Sequence, residues 1–434
     1  MDMVWIAVGV AALLLTILAM GTWVFAALVV VAMSSLWWLG DFDLDRIGLI
    51  FSRILYRAGN SWELSAIPLF ILMGELIFRS NFSERLFKGL TPLTRPLPGG
   101  ILHTNVFGCA LFAAVSGSSA ATTATIGKIT TKELASRGYD RNLSIGSLAG
   151  AGSLGLLIPP SIVMIVYGVQ AEVSISKLFM AGVLPGLLIA ALYSSFIILR
   201  SMMQPQLAPR QAINGIGLWQ ALPLLAPVAA LITIVMGSIY SGIATPSEAA
   251  AVGVAATLGL LALERQLSIA LLIDALKGTL ISATMVCSLL VTAMLLSTAM
   301  GYLHLPKELA AWIAAQQFTP MVLLMALAVF YIVLGLFLDG ISITVMSLPI
   351  TLPIVVLAGF DPLWFGVFLV IMVELGQITP PVGFNLFVLQ GMTGESIGRI
   401  AWAAFPFFLL MCLAAAMISI WPGIVLWLPH IITN

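Results

Sequence analysis

From residue 4 to residue 38 the chain carries no charged side chain. A bilayer crossing needs about 20 apolar residues, so this run exceeds one comfortable span. Gly21 allows a turn near its middle, which predicts one long tilted helix or two shorter ones. Further apolar segments fall near 62–78, 101–127, 143–169, 178–200, 218–239, 244–263, 278–300, 320–339, 340–357, 362–390 and 401–428. Only 8% of the 434 residues are charged and 61% are hydrophobic, against about 25% and about 45–50% in soluble domains. Backbone polar groups in lipid must be satisfied within the segment, so the expected fold is all-α and polytopic.

Several function classes drop out. The 18 Lys+Arg offset the 18 Asp+Glu, leaving no basic field for nucleic acid. The three cysteines and three histidines are scattered and form neither a disulfide framework nor a metal set. No Walker A, GxSxG or HExxH pattern occurs, so the chain reads as a non-enzyme without a cofactor or transition metal. The first residues lack a basic n-region and their apolar run continues past Gly21, which predicts mature helix rather than a signal peptide. Residues 41–60 mix charge with Ile, Leu, Phe and Tyr and predict an amphipathic element at the interface. Residues 78–100 read as a charged connector.

Two apolar segments contain polar clusters at their centres: AVSGSSAATTAT within 101–127 and FLDGISIT within 320–357. Such clusters are costly facing lipid and tolerated when buried in protein, as at the tip of a re-entrant hairpin. Charge supports that reading. Arg79, Arg85, Lys88 and Arg95 precede the first cluster, and Lys128, Lys132, Arg137 and Arg141 follow it. Both flanks therefore belong in the cytoplasm, and the segment enters and returns. Lys307 is the only Lys or Arg from 301 to 361, so the second hairpin enters from outside. Arg200 and Arg210 mark a further cytoplasmic loop, and Arg265, Lys277 and Arg399 mark others. The N-terminal side stays open, because Arg46, Arg53 and Arg57 are mixed with Asp41, Asp43 and Asp45. One hairpin from each face is the mark of inverted repeats.

Each hairpin precedes a paired proline within an apolar segment: Pro159-Pro160 in GLLIPPSIV and Pro380-Pro381 in GQITPPVGF. Shifting Gly117–Ser119 by the spacing between the two proline pairs lands on Leu338–Gly340. Proline removes an amide donor and blocks a helix hydrogen bond, so each pair predicts a discontinuous helix with carbonyls free for a cation. Hairpin-tip oxygens complete the cage, and helix N-termini nearby suit an anionic substrate. Asp339 and Glu374 are acidic groups at these places. Gln377, Thr379 and Asn385 are neutral polar candidates. Glu75 reads as an anchor near the cytoplasmic end of its span, and Thr123 and Thr125 as residues that only back-bond within their helix.

The stretches IPLFILMGELIF, NVFGCALFAAVSGSSAATTATIGKI, GSLGLLIPPSIVMIVYG, VLGLFLDGISITVMSLPITLPI and ELGQITPPVGFNLFVLQG together resemble the large membrane subunit of TRAP (tripartite ATP-independent periplasmic) transporters, DctM or SiaM type. The resemblance spans nearly the whole chain. It implies a sodium-coupled elevator-type importer of an organic acid in the bacterial inner membrane. It further implies a small four-helix membrane subunit and a periplasmic substrate-binding protein as partners, with lipid around them. The domains it implies are scaffold helices and amphipathic arm at 1–100, a first transport repeat at 101–170, and scaffold helices at 171–300. An outer connecting arm at 301–319, a second transport repeat at 320–392 and a C-terminal scaffold helix at 393–434 follow. Sodium is expected around Ser116, Gly117, Ser118, Ser119, Gly155 and Pro159, and around Asp339, Gly340, Ser342, Gly376, Thr379 and Pro380. Substrate is expected near Ser119, Ser161, Thr344, Thr379 and Asn385. Two competing readings are a self-sufficient sodium/dicarboxylate carrier and a non-transporting scaffold subunit.

Overall fold

The computed structural model describes residues 3–209, 217–316, 318–381 and 383–432. Arg210, expected in a cytoplasmic loop, and Val382, within the second break, lie outside the described residues. The described chain is helical throughout. Helices α1 (Met3–Ala19) and α2 (Val24–Trp38) divide the first apolar run at Gly21, whose φ is +79°. The amphipathic stretch forms α3 (Leu44–Gly59), and α4 (Ala66–Phe78) follows, the two segments meeting at a bend of 63°. The supposed connector contains α5 (Phe82–Thr94), a correction to its reading as a loop. Phe82, Leu86 and Leu90 recur on one face of α5 and are buried, as the 3.6-residue period requires.

Next come α6 (His103–Ser116), α7 (Ser119–Ser136), α8 (Arg141–Gly152) and α9 (Ile162–Gln170). Five longer or peripheral helices follow: α10 (Ile175–Met203), α11 (Leu218–Tyr240), α12 (Pro246–Leu263), α13 (Ile269–Tyr302) and α14 (Leu305–Ala315). The second interrupted set is α15 (Pro320–Gly335), α16 (Gly340–Leu357), α17 (Pro362–Gln377) and α18 (Phe384–Thr393). The last apolar segment is two helices rather than one span, α19 (Ile397–Ile420) and α20 (Gly423–Ile432), with α20 packed along α10. Among the described residues, six helices are long and apolar enough to cross a membrane, or seven if the bent α3–α4 pair counts as one span.

Loops expected on the same side of the membrane meet. At one end the Gln266 amide donates to Asn81 Oδ1 at 2.6 Å, and Arg85 pairs with Glu264. At the same end the Asp140 N–H donates to Leu207 O at 2.9 Å, and Arg141 pairs with Glu395 at 3.1 Å. Glu75 pairs with Arg79 there at 2.9 Å, in keeping with its reading as an anchor. At the other end Ser247 donates to Trp62 O at 3.0 Å, and Arg57 faces Glu172 at 3.7 Å. The segment joining α3 to α4 therefore sits at the same end as the loops read as external.

Candidate functional site

The site is built from four helix restarts and the two breaks beside them. Helix α6 ends at Gly117, whose φ of +62° favours glycine. Ser118 then caps α7, its side chain accepting from the Ala121 N–H. Ser161 caps α9 in the same way by accepting from the Met164 N–H. Asp339 caps α16: its Oδ2 accepts from the Ile341 and Ser342 N–H groups at 3.1 and 3.3 Å, and the Ser342 hydroxyl donates to Oδ1. These caps satisfy N–H groups that a new helix leaves without partners. The fourth restart differs. Helix α18 begins after Gly383, at φ +44°, with no side-chain cap.

The first tip and the first break are in contact. A Cβ on Gly155 would lie 2.4 Å from Ser119 Cα, and one on Gly117 would lie 2.9 Å from Pro160 O. Gly117 O accepts from the Ile162 N–H at 3.4 Å. Ser116, Gly117, Ser119, Gly155, Pro159 and Ser161 are all buried, and Ser118 is half-buried. The expected first group is thus assembled in space.

The second group is only partly so. Gly340 of the second tip meets Gln377, with Gln377 Nε2 2.8 Å from where its Cβ would be. Gly376 instead packs on Gly335 of α15, a Cβ on either lying 2.5 Å from the other's Cα. Thr379 is half-buried and Pro380 and Pro381 are exposed. The Thr344 hydroxyl donates back to Gly340 O at 2.8 Å, and the Thr379 hydroxyl to Leu375 O at 2.6 Å. Both proline pairs are cis. Among the described residues, no hydrogen-bond donor reaches the carbonyls of Leu156–Pro160 or of Gln377–Pro380.

Two hydrogen bonds join the groups across more than half the chain. The Ser119 hydroxyl donates to Gln377 Oε1 at 2.9 Å. The Leu156 N–H donates to Glu374 Oε1 at 3.2 Å. Leu156 Cδ1 also bounds the space beside Gly340. The first tip, the first break, the second tip and the start of the second break therefore form one cluster.

Among the described residues, several buried polar atoms in and around this cluster lack hydrogen-bond partners. Glu374 Oε2 and the Thr123 hydroxyl are buried without a hydrogen bond, and so are both amide atoms of Asn385. The Thr123 hydroxyl abuts Gly152, the last residue of α8. The Thr123 and Thr125 hydroxyls do not bond back to their own helix, which corrects the reading of them as back-bonded. Sequence reasoning singled out Gln377 without foreseeing its partner. The pairing with Ser119 spans 258 residues, and no local signal reports it. Asn385 makes no side-chain hydrogen bond among the described residues; its helix, α18, packs on α7. Among the described residues, no group of three His, Cys, Asp or Glu side chains could hold a metal ion.

Helices interrupted within membrane sequence, with polar groups buried at the interruptions, are the architecture of a membrane transport protein. Residues 11–424 match the tripartite ATP-independent periplasmic transporter, DctM component, and the chain belongs to that family of large permease subunits. It is accordingly a multi-pass protein of the bacterial inner membrane and not an enzyme. It is 32% identical over 388 residues to the C4-dicarboxylate TRAP transporter large permease protein DctM of Pseudomonas aeruginosa, covering 87% of this chain and 88% of that one. It is 33% identical to the isethionate TRAP transporter permease protein DctMQ of Oleidesulfovibrio alaskensis, covering 88% of this chain and 59% of that one. Among solved structures, the Alcanivorax borkumensis YdaH transporter shares the fold, with a TM-score of 0.64 at 17% identity, covering 88% of this chain and 90% of that one.

Proposed function

We propose that this permease imports a small organic acid together with Na+ by elevator-type alternating access. A periplasmic substrate-binding protein delivers the acid, and a small four-helix membrane subunit completes the complex. Family membership supports both partners. The observation that carries the mechanism is the joining of the two halves by the Ser119–Gln377 and Leu156–Glu374 hydrogen bonds. A cluster tied across the halves can move as one block.

Reciprocal packing supports an inverted repeat made of α6–α9 and α15–α18. Helix α6 packs on α8 as α15 packs on α17. Helix α9 packs on α16, the return leg of the second half, while α18 packs on α7, the return leg of the first. In this reading α6–α7 and α15–α16 are the two hairpins. Residues 101–170 and 320–392 form the transport block, 1–100, 171–300 and 393–434 the scaffold, and 301–319 the arm.

The oxygens present fit Na+. The carbonyls of Leu156–Pro160 and Gln377–Pro380 receive no donor among the described residues, and the Thr123 hydroxyl lies nearby without a partner. A discontinuous helix uses such carbonyls to coordinate Na+. Ser118, Ser161 and Asp339 have their side chains engaged in capping, so their proposed role is to fix the tips while backbone oxygens carry most of the ion contact. The N-termini of α9 and α18 favour an anionic group on substrate, with Asn385 the buried amide that has no other partner. The cargoes named for the two relatives are small organic anions, which supports the class and leaves the particular acid to the binding protein.

Co-reconstitution in liposomes tests this reading. Uptake of the acid bound by the cognate binding protein should require that protein, the small subunit and an inward Na+ gradient. Uptake by this chain alone, indifferent to the binding protein, would sink the tripartite assignment. Uptake indifferent to Na+ would sink the coupling.

A further inference from the structure

Six of the chain's 18 Lys and Arg side chains line a single cavity of about 1170 Å³: Arg79, Lys88, Arg95, Lys128, Lys132 and Arg137. The positive-inside rule accounts for the side of the membrane on which they lie. It does not account for their convergence on one space. On α5, Glu84, Lys88, Thr91 and Arg95 follow one helical face toward the cavity, and on α7, Thr125, Lys128 and Lys132 do the same. Three acids also line it, Glu84, Glu133 and Asp274. Glu133 is already paired with Arg137 at 3.0 Å, and Arg79 with Glu75 at 2.9 Å. Among the described residues, Lys88, Lys128 and Lys132 have no carboxylate within ion-pair distance.

Lys128 and Lys132 stand four residues apart on one helix, where like charges repel. Deeper in the same wall the Thr125 hydroxyl is buried and has no hydrogen-bond partner. Together they offer two cations and a hydroxyl donor on one face. The wall is also continuous with the transport cluster. Helix α7 begins at Ser119, and at 1.5 Å per residue Thr125 lies about 9 Å along it and Lys132 about 20 Å.

We propose that this cavity is a second anion site, which holds the organic acid on the cytoplasmic side after it leaves the hairpin tips. The proposal rests on the permease reading for the identity of its ligand. The anion bridges Lys128 and Lys132, accepts from Thr125 and meets Lys88 from α5. A dicarboxylate or an anion of similar charge suits it. Because the site lies on the release path, cytoplasmic acid that refills it slows further unloading.

Lysine footprinting tests the site without requiring transport, so failure of the permease reading and failure of this site are separately visible. The full chain in phosphatidylcholine nanodiscs is acetylated with an amine-reactive ester at fixed ionic strength, with succinate as the probe, and each lysine is read by mass spectrometry. A site with Kd of about 1 mM slows acetylation of Lys88, Lys128 and Lys132 about tenfold at about 10 mM succinate. Lys177 and Lys307, on the opposite side, keep their rates. In K128Q/K132Q the protection of Lys88 is lost. Equal rates with and without succinate overturn the proposal. So does protection by phosphatidylglycerol nanodiscs with none by succinate, which assigns the cavity to lipid headgroups.

Discussion

The two helix breaks share a sequence pattern but not an environment. Pro159 and Pro160 are buried, and the helix after them is capped by Ser161. Pro380 and Pro381 are exposed, and the helix after them starts at Gly383 without a side-chain cap. The helix pairs upstream of the breaks, α6–α7 and α15–α16, differ in the same sense. Helix α6 packs closely on α7, whereas α15 packs chiefly on α17 and only lightly on α16. One half is closed around its break and the other is open. In an importer of the proposed kind the open half is the one with room to rearrange, and the closed half is the rigid reference. Burial decides which substitutions each can absorb.

The largest effect is expected where backbone meets backbone in the closed half. Gly155→Val adds a branched side chain whose Cβ starts 2.4 Å from Ser119 Cα. Overpacking of this kind typically costs about 1–3 kcal/mol. The variant should lose Na+-driven uptake and melt well below the parent in detergent. Gly383→Ala, in the open half, should cost less. Its Cβ would approach Thr379 O at 2.8 Å and its φ of +44° is less favourable to alanine, yet the exposed segment before it can shift. Equal losses at both positions would erase the distinction between closed and open halves.

The proline pairs sharpen the same comparison. Pro159→Ala with Pro160→Ala should reduce both uptake and thermal stability, because the change falls in buried structure. Pro380→Ala with Pro381→Ala should impair Na+-coupled uptake while the protein still inserts and melts near the parent temperature. The amide restored at position 381 would engage the Gln377 carbonyl, which receives no donor among the described residues. A normal rate and Na+ dependence for the second pair would count against the break as an ion site.

A double-mutant cycle on Ser119→Ala and Gln377→Ala measures the tie between halves. Their hydrogen bond should contribute a coupling of about 0.5–1.5 kcal/mol. Additive losses would show that the two halves are not coupled there. Asp339→Ala should cost about 1 kcal/mol through the lost cap, and Asp339→Asn less, since asparagine also caps.

The smallest effect concerns Glu395, between Arg141 at 3.1 Å and Arg399 at 3.0 Å. The hydrogen bond from Arg141, with the charges of both arginines, holds its carboxyl below the ordinary value of 4.5. A depressed carboxyl stabilises the fold above its unfolded pKa and loses that contribution as pH falls through the folded one. Glu395→Gln should therefore show a constant small melting difference from pH 6 to 8, closing below about pH 4.5. A difference that instead opens as pH falls would contradict the sign.

Much of this fold was legible in the sequence because membrane segments announce themselves by length and charge. The division at Gly21, the amphipathic α3, both breaks and both tips lie where apolar runs are interrupted. The charges of α5 mask its apolar face within 78–100, and the break in the last segment is marked by Pro422-Gly423 alone, with no polar cluster to set it apart from a kinked span. The site was legible by type rather than by contact. Serines and an aspartate at the tips were read as ion ligands, while much of their hydrogen-bonding capacity goes to capping. Thr123 and Thr125 escape a sequence reading because back-bonding is the usual fate of a helical threonine. The openness of the second half could not be foreseen from twin motifs, since burial depends on neighbours that the motif does not contain.

Sodium binding to the purified chain, measured by calorimetry in the parent and in the two double-proline variants, tests the central claim most directly. Two sites built on two breaks predict that each variant loses one binding event and keeps the other. Unchanged Na+ binding in both variants would contradict the account.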